Sequence, residues 1–169
     1  MRAYLSDSAF LELLLGSAEV YKKECLGYLL GYSMDDRYIV EHAFTLQSAK
    51  RGHRNVDLDR ESQKKITPII DKFHRLRIIG DFHSHTQYGE FKGRPVPSRE
   101  DVQTMIPGRV YFIIAINNNS KTMNWGENRD GTISGSAGRY FFKISAYCLN
   151  GTEATTRKVK IHCPFPPTL

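Results

Sequence analysis

The stretch that most narrows what this chain can become is Ile78-Ile79-Gly80-Asp81-Phe82-His83-Ser84-His85. It reads as a strand running from Leu76 to His85, and residues two apart on a strand face the same way, so both imidazoles project to one side. Residues 86–97 hold two glycines and two prolines and form a loop that cannot continue the strand. Beyond it, Pro97-Ser98-Arg99-Glu100-Asp101 opens a short helix on which Ser98 and Asp101, three apart, share a face. His83, His85 and Asp101 together leave the fourth tetrahedral position of a zinc ion open for water, as catalytic rather than structural zinc requires. Upstream, Glu24 stands just before the apolar, glycine-punctuated run Cys25-Leu26-Gly27-Tyr28-Leu29-Leu30-Gly31 and offers a carboxylate that could accept a proton.

Each piece has an ordinary reading as well. A His-x-His is usually polar decoration of a half-buried strand, and a lone Glu is usually solvated. Ser-x-x-Asp is a common helix cap with an acidic first turn. Capping and chemistry are compatible, because a capping serine accepts a backbone N–H while its own proton stays free to be donated.

The ordered set Glu24-x-x-Gly27-x-x-x-Gly31, His83-x-His85 and Ser98-x-x-Asp101 resembles the MPN+ (JAMM) family of zinc-dependent isopeptidases and peptidases, the Mov34/MPN/PAD-1-like domain, over roughly residues 1 to 120. The resemblance implies an α/β fold with a mixed, curved β-sheet flanked by helices, related to the deaminase architecture. It implies one zinc ion per chain held by His83, His85 and Asp101, Glu24 as general base, and Ser98 helping to stabilise the tetrahedral intermediate. It also implies the substrate class: a peptide or isopeptide bond beside the C-terminal tail of a ubiquitin-like protein or sulfur carrier. The alternative within the family is a non-catalytic interaction or scaffold module, against which the intact five-residue set argues.

Twelve residues separate His85 from Ser98, where about seven is usual in the family; the insertion adds closure entropy only slowly with length. Tyr88 and Phe91 in this loop are expected substrate contacts. Thr86 stands where a proline is common, and Asp81, where an aromatic is frequent, shares the face of His83 and His85 as a supporting group or a competing ligand. A zinc deaminase would need His-x-Glu and Pro-Cys-x-x-Cys, and neither occurs.

With 169 residues, 40% hydrophobic and 25% charged, the chain is expected to form one globular domain. No apolar run reaches the roughly 18 residues of a membrane span, and the N-terminus lacks the order of a signal peptide; membrane is not an expected partner, and the cytoplasm is the expected location. Cys25, Cys148 and Cys163 are too few and too scattered for a disulfide framework. A net charge of +6 favours acidic partners, although a solvated surface is its commonest meaning and nucleic acid is not the expected partner.

In chain order, a helix is expected over 7–22, capped by Asp7 or Ser8, with Leu11, Leu14, Leu15, Ala18 and Tyr21 as its stripe widened by Phe10 and Leu13. Cys25 to Tyr32 and Arg37 to Phe44 read as antiparallel strands joined by a turn at Met34-Asp35-Asp36. The basic stretch 48–54 reads as an exposed loop that could guide an acidic partner. A helix capped by Asp57 or Asp59 runs towards Arg77, with Pro68 kinking it or restarting it at Thr67. Val110 to Ile116 is the most strand-like run, Lys121 to Gly126 and Ser134 to Leu149 add β candidates, and residues 155–169 read as an edge strand with a frayed, Pro-rich tail.

Overall fold

In the computed structural model, which describes residues 1–47, 50–51, 56–57, 60–119, 121–151 and 155–164 (backbone alone at 50–51, 56–57 and 60–63), the chain starts with a strand its sequence hides. β1 (Arg2–Leu5) turns only Ala3 and Leu5 inward, too short a pattern to recognise. Ser6 then caps α1 (Asp7–Glu19), its hydroxyl accepting the Ala9 N–H at 3.0 Å, so the cap falls just before the expected Asp7 or Ser8. The buried side of α1 is Ala9, Phe10, Leu13 and Leu14, whereas Leu11 and Leu15 are 55% and 56% exposed. The expected stripe is therefore rotated. With leucine at 11, 13, 14 and 15, periodicity cannot choose the face; packing does, through contacts such as the edge of Phe10 against Trp125.

β2 (Leu26–Met34) and β3 (Arg37–Thr45) form the expected antiparallel pair, turning at Asp35, whose φ is 48°. In the basic stretch 48–54, expected to be a loop, β4 (Lys50–Arg51) pairs with β5 (Val56–Asp57) just beyond it as a short ribbon. Residues 48–49 and 52–54 of that stretch, residue 55 and the candidate cap Asp59 lie outside the described residues. α2 (Arg60–Ile70) stops well short of Arg77. Pro68 lies inside the helix, which runs through it to Ile70 without the expected restart at Thr67; the Asp71 N–H still reaches the Thr67 carbonyl at 3.0 Å, and turns follow.

β6 (Arg77–Thr86) pairs antiparallel with β2 on the side away from β3. β3 and β6 thus run parallel with β2 between them, and α2 is the crossover that the helix-then-strand order implied. α3 (Arg99–Thr104) leads into β7 (Val110–Asn118), parallel to β6. The two strands come close because residue 80 is glycine; a Cβ there would overlap the Val110 carbonyl oxygen.

β8 (Gly126–Glu127) and β9 (Ile133–Ala137) continue the sheet beyond β10 (Tyr140–Leu149). β10 gives its first half to β9 and its last residues to β11 (Thr156–His162), while β7 lines its other edge. β11 also pairs with β1, and β1 with β3, so seven strands close in the order β11-β1-β3-β2-β6-β7-β10. The expected mixed, curved sheet is present, but it is a closed, strand-rich barrel, and only three helices occur among the described residues, fewer flanking helices than expected. β11 is correspondingly no edge strand: Val159 and Ile161 are fully buried and it has partners on both sides. Alternation marks which side chains point inward and says nothing about how many strands lie alongside. Residues 165–169 of the tail lie outside the described residues.

One apolar core joins α1 to the inward faces of the strands, including Phe82, Phe112, Ile114 and Phe142. The outward face of β6 is flanked by two smaller clusters, Leu26, Tyr28 and Leu46 on one side and Met105, Tyr111, Ile113 and Tyr147 on the other. Among the described residues, no helix is long and apolar enough to cross a membrane.

Candidate metal centre

Strand alternation places Phe82 and Ser84 in the barrel wall's inward register and turns Asp81, His83 and His85 to the outward face. His83 lies between Leu26 of β2 and Ile113 of β7, while His85 has only Ala115 beside it on β7. Ser98 and Asp101 start α3 through a reciprocal cap: the Ser98 hydroxyl accepts the Asp101 N–H at 3.1 Å, and Asp101 Oδ2 accepts the Ser98 N–H at 2.6 Å. That cap holds the Asp101 carboxylate over the two imidazoles.

The donor atoms converge. His83 Nε2 is 3.0 Å from His85 Nε2 and 3.4 Å from Asp101 Oδ1, and His85 Nε2 is 3.8 Å from Asp101 Oδ2. Donors at two corners of a tetrahedron with metal–ligand arms of 2.0–2.1 Å stand about 3.3 Å apart. The spacing therefore fits a metal ion, and His83, His85 and Asp101 form the metal-capable cluster found among the described residues. Asp81 shares their face but is not one of the converging donors. It sits in register with Tyr28 and Tyr111, and burial pushes its pKa up to about 6, against the pull of His83 and Arg109.

Glu24 arrives from the other strand. Ser84 N–H donates to the Cys25 carbonyl at 3.1 Å and Cys25 N–H to Ser84 Oγ at 2.9 Å, which carries the β2–β6 ladder one step past Leu26 and brings Glu24 to the face of His83 and His85. Glu24 is only 7% exposed, and burial pushes its pKa up to about 7, opposed by His83 and reinforced by Asp101. Burial also works against charge on Asp101, yet His83 and the Ser98 hydrogen bonds hold its carboxyl far below the usual range. For His83, burial disfavours protonation, but Asp101, Asp81 and Glu24 outweigh it and raise its pKa; for His85, burial and His83 prevail and lower it. One carboxylate stays ionised while the other can hold a proton near neutrality.

The Glu24 shift has a measurable sign. Its folded pKa lies above the ordinary 4.5, so in the metal-free protein its contribution to stability is full at pH below about 4.5 and is lost as pH rises through about 7. Glu24→Gln is expected to raise the melting temperature of the metal-free protein at pH 8 more than at pH 5. An equal change at both would show that Glu24 titrates as it does in water.

A family model described as prokaryotic homologs of the JAB domain matches residues 6–126. The chain belongs to this family. Its MPN/JAMM-like motif thus sits in an MPN/JAMM-like domain. A search of curated proteins finds no match. Among solved structures, the fold is similar to protein DSY2949 from Desulfitobacterium hafniense, with a TM-score of 0.66 at 18% identity, covering 95% of this chain and 92% of that one.

Two groups of this JAB domain escape the sequence reading. Ser84, fully buried, ties the strand carrying His83 and His85 to the segment carrying Glu24. Its signal is a small hydroxyl at the inward position of an apolar strand. The Arg94 carbonyl, which accepts from His85 Nδ1 at 2.7 Å, has no signal at all, because every residue has a carbonyl.

Proposed function

We propose that this JAB domain is a zinc-dependent hydrolase that cuts a peptide or isopeptide bond beside the C-terminal tail of a ubiquitin-like protein or sulfur carrier, in the cytoplasm. The observation that carries the reading is the convergence of His83, His85 and Asp101 with a buried Glu24 whose pKa lies near 7. Scaffold members of the family have no need of such an array.

Zinc held by His83, His85 and Asp101 would act as a Lewis acid and bring the pKa of a water to about 7. Glu24, buried at the same face with its pKa pushed up to about 7 in the metal-free protein, would be suited to take a proton from the attacking water and hand it to the departing amine. Ser98 accepts the Asp101 N–H, which leaves its O–H proton available to the oxygen of the scissile carbonyl. Tyr88 and Phe91, 59% and 79% exposed at the turn of the 86–97 loop, are surfaces for substrate beside the centre.

The test is cleavage of reporters joined through linear or isopeptide bonds to the C-terminal tails of ubiquitin-like proteins and sulfur carriers. Cleavage that a chelator stops and zinc restores is expected; no cleavage of any reporter by zinc-loaded protein would favour the scaffold alternative. Ser98→Ala is expected to keep zinc and lower kcat by about 10²–10³-fold, with about 1 kcal/mol of stability lost with the cap. Unchanged kcat would remove Ser98 from the mechanism. Tyr88→Ala with Phe91→Ala should raise KM for a protein substrate and leave zinc content alone; an unchanged KM would take the loop tip out of recognition.

A further inference from the structure

The two histidines of the centre are not held alike. His83 is wedged between Leu26 and Ile113, both buried. His85 lies past the β2 ladder, beside Ala115, and its side chain is more exposed than that of His83. Something else has to orient it.

That contact comes from the inserted loop. His85 Nδ1 lies 2.7 Å from the Arg94 carbonyl oxygen. A carbonyl can only accept, so Nδ1 carries the hydrogen, and the lone pair of neutral imidazole is left on Nε2, the atom facing His83 and Asp101. The loop is built to keep that carbonyl in place. Asn117 of β7, 5% exposed, clamps Gly93 at two points: its Oδ1 accepts the Gly93 N–H at 2.7 Å and its Nδ2 donates to the Gly93 carbonyl at 3.2 Å. Residue 93 approaches the strand so closely that a Cβ there would overlap the His85 carbonyl oxygen. Arg94 precedes Pro95, which confines it to extended backbone. The Tyr147 hydroxyl then donates to the Pro95 carbonyl at 2.9 Å, pinning the far side.

We propose that the 86–97 loop is an orienting device for the metal centre, in which Gly93, Asn117 and Tyr147 act as positioning residues that hold the Arg94 carbonyl on His85 and so select the metal-binding tautomer. This rests on the metal-centre reading above and extends it to residues that touch neither metal nor substrate. Outer partners of metal-bound histidines typically govern affinity by about 10–100-fold.

Two measurements test it. Zinc affinity, by competition with a chromophoric chelator, is expected to fall about 10–100-fold in Gly93→Ala and Asn117→Ala, to fall less in the isosteric Tyr147→Phe, and to stay at the wild-type value in Lys92→Ala, an exposed change in the same loop. Imidazole ¹⁵N shifts of the metal-free protein are expected to show His85 with its hydrogen on Nδ1, and a mixture of tautomers in Gly93→Ala and Asn117→Ala. Wild-type affinity in all three positioning variants, or a wild-type His85 protonated on Nε2, would overturn the proposal. If Gly93→Ala and Asn117→Ala unfold, Tyr147→Phe decides by the same two readouts. A wild type that shows the expected tautomer and its loss in the variants, yet binds no zinc, would support the orienting role and sink the zinc reading alone.

Discussion

Glu24→Gln is expected to lower amide hydrolysis by about 10²–10⁴-fold while the protein still binds one zinc. The substitution keeps the side chain's size and removes its ability to accept a proton. Burial holds the Glu24 pKa near 7, so wild-type kcat/KM should rise with pH as this group loses its proton, and zinc, by adding positive charge nearby, should move that limb to lower pH. The variant should lose the limb altogether. A Gln variant with wild-type kcat and the same acidic limb would assign the proton transfer to another group. Zinc content distinguishes the outcomes: loss of metal along with activity would make Glu24 a ligand rather than a base.

The second large effect is at Asp101. Its carboxylate serves two structures at once, with Oδ1 3.4 Å from His83 Nε2 and Oδ2 accepting the Ser98 N–H at 2.6 Å. Asp101→Ala should therefore take zinc from about one per chain to a small fraction, abolish hydrolysis, and cost about 1 kcal/mol for the cap. Asp101→Asn separates the roles, since an amide oxygen can still accept the Ser98 N–H but carries no charge for the metal. Near-normal stability with most of the zinc lost is the expected result for Asn. Zinc at wild-type content in both variants, measured on protein purified without a metal-affinity tag, would remove Asp101 from the ligand set and with it the tetrahedral site.

The motif residues could be read from the chain because local geometry places them. His83 and His85 share a face on any strand, and Ser98 and Asp101 share one at any helix start; the structure keeps both relations and adds the capping box. The β2–β3 pair was visible for the same reason, a short turn between two apolar runs. The rotated face of α1 was not, because leucines on several sides make the periodicity degenerate until Phe10 meets Trp125. The end of α2 at Ile70 was not legible either, because Ile66, Ile69, Phe73 and Leu76 carry a helical apolar spacing past it.

Sequence alone determined the chemistry on offer, two imidazoles, two carboxylates and a hydroxyl in the order of an MPN/JAMM-like motif, because residue identity and short-range periodicity are properties of the chain itself. Only the tertiary structure decided that β11 reaches back to β1 and closes a barrel, that Glu24 is desolvated enough for its proton to be held near neutrality, and that a backbone carbonyl from the inserted loop steers His85. Those outcomes depend on contacts between residues distant in sequence, on excluded water, and on a main-chain group that every residue shares, none of which leaves a mark in the local pattern of side chains.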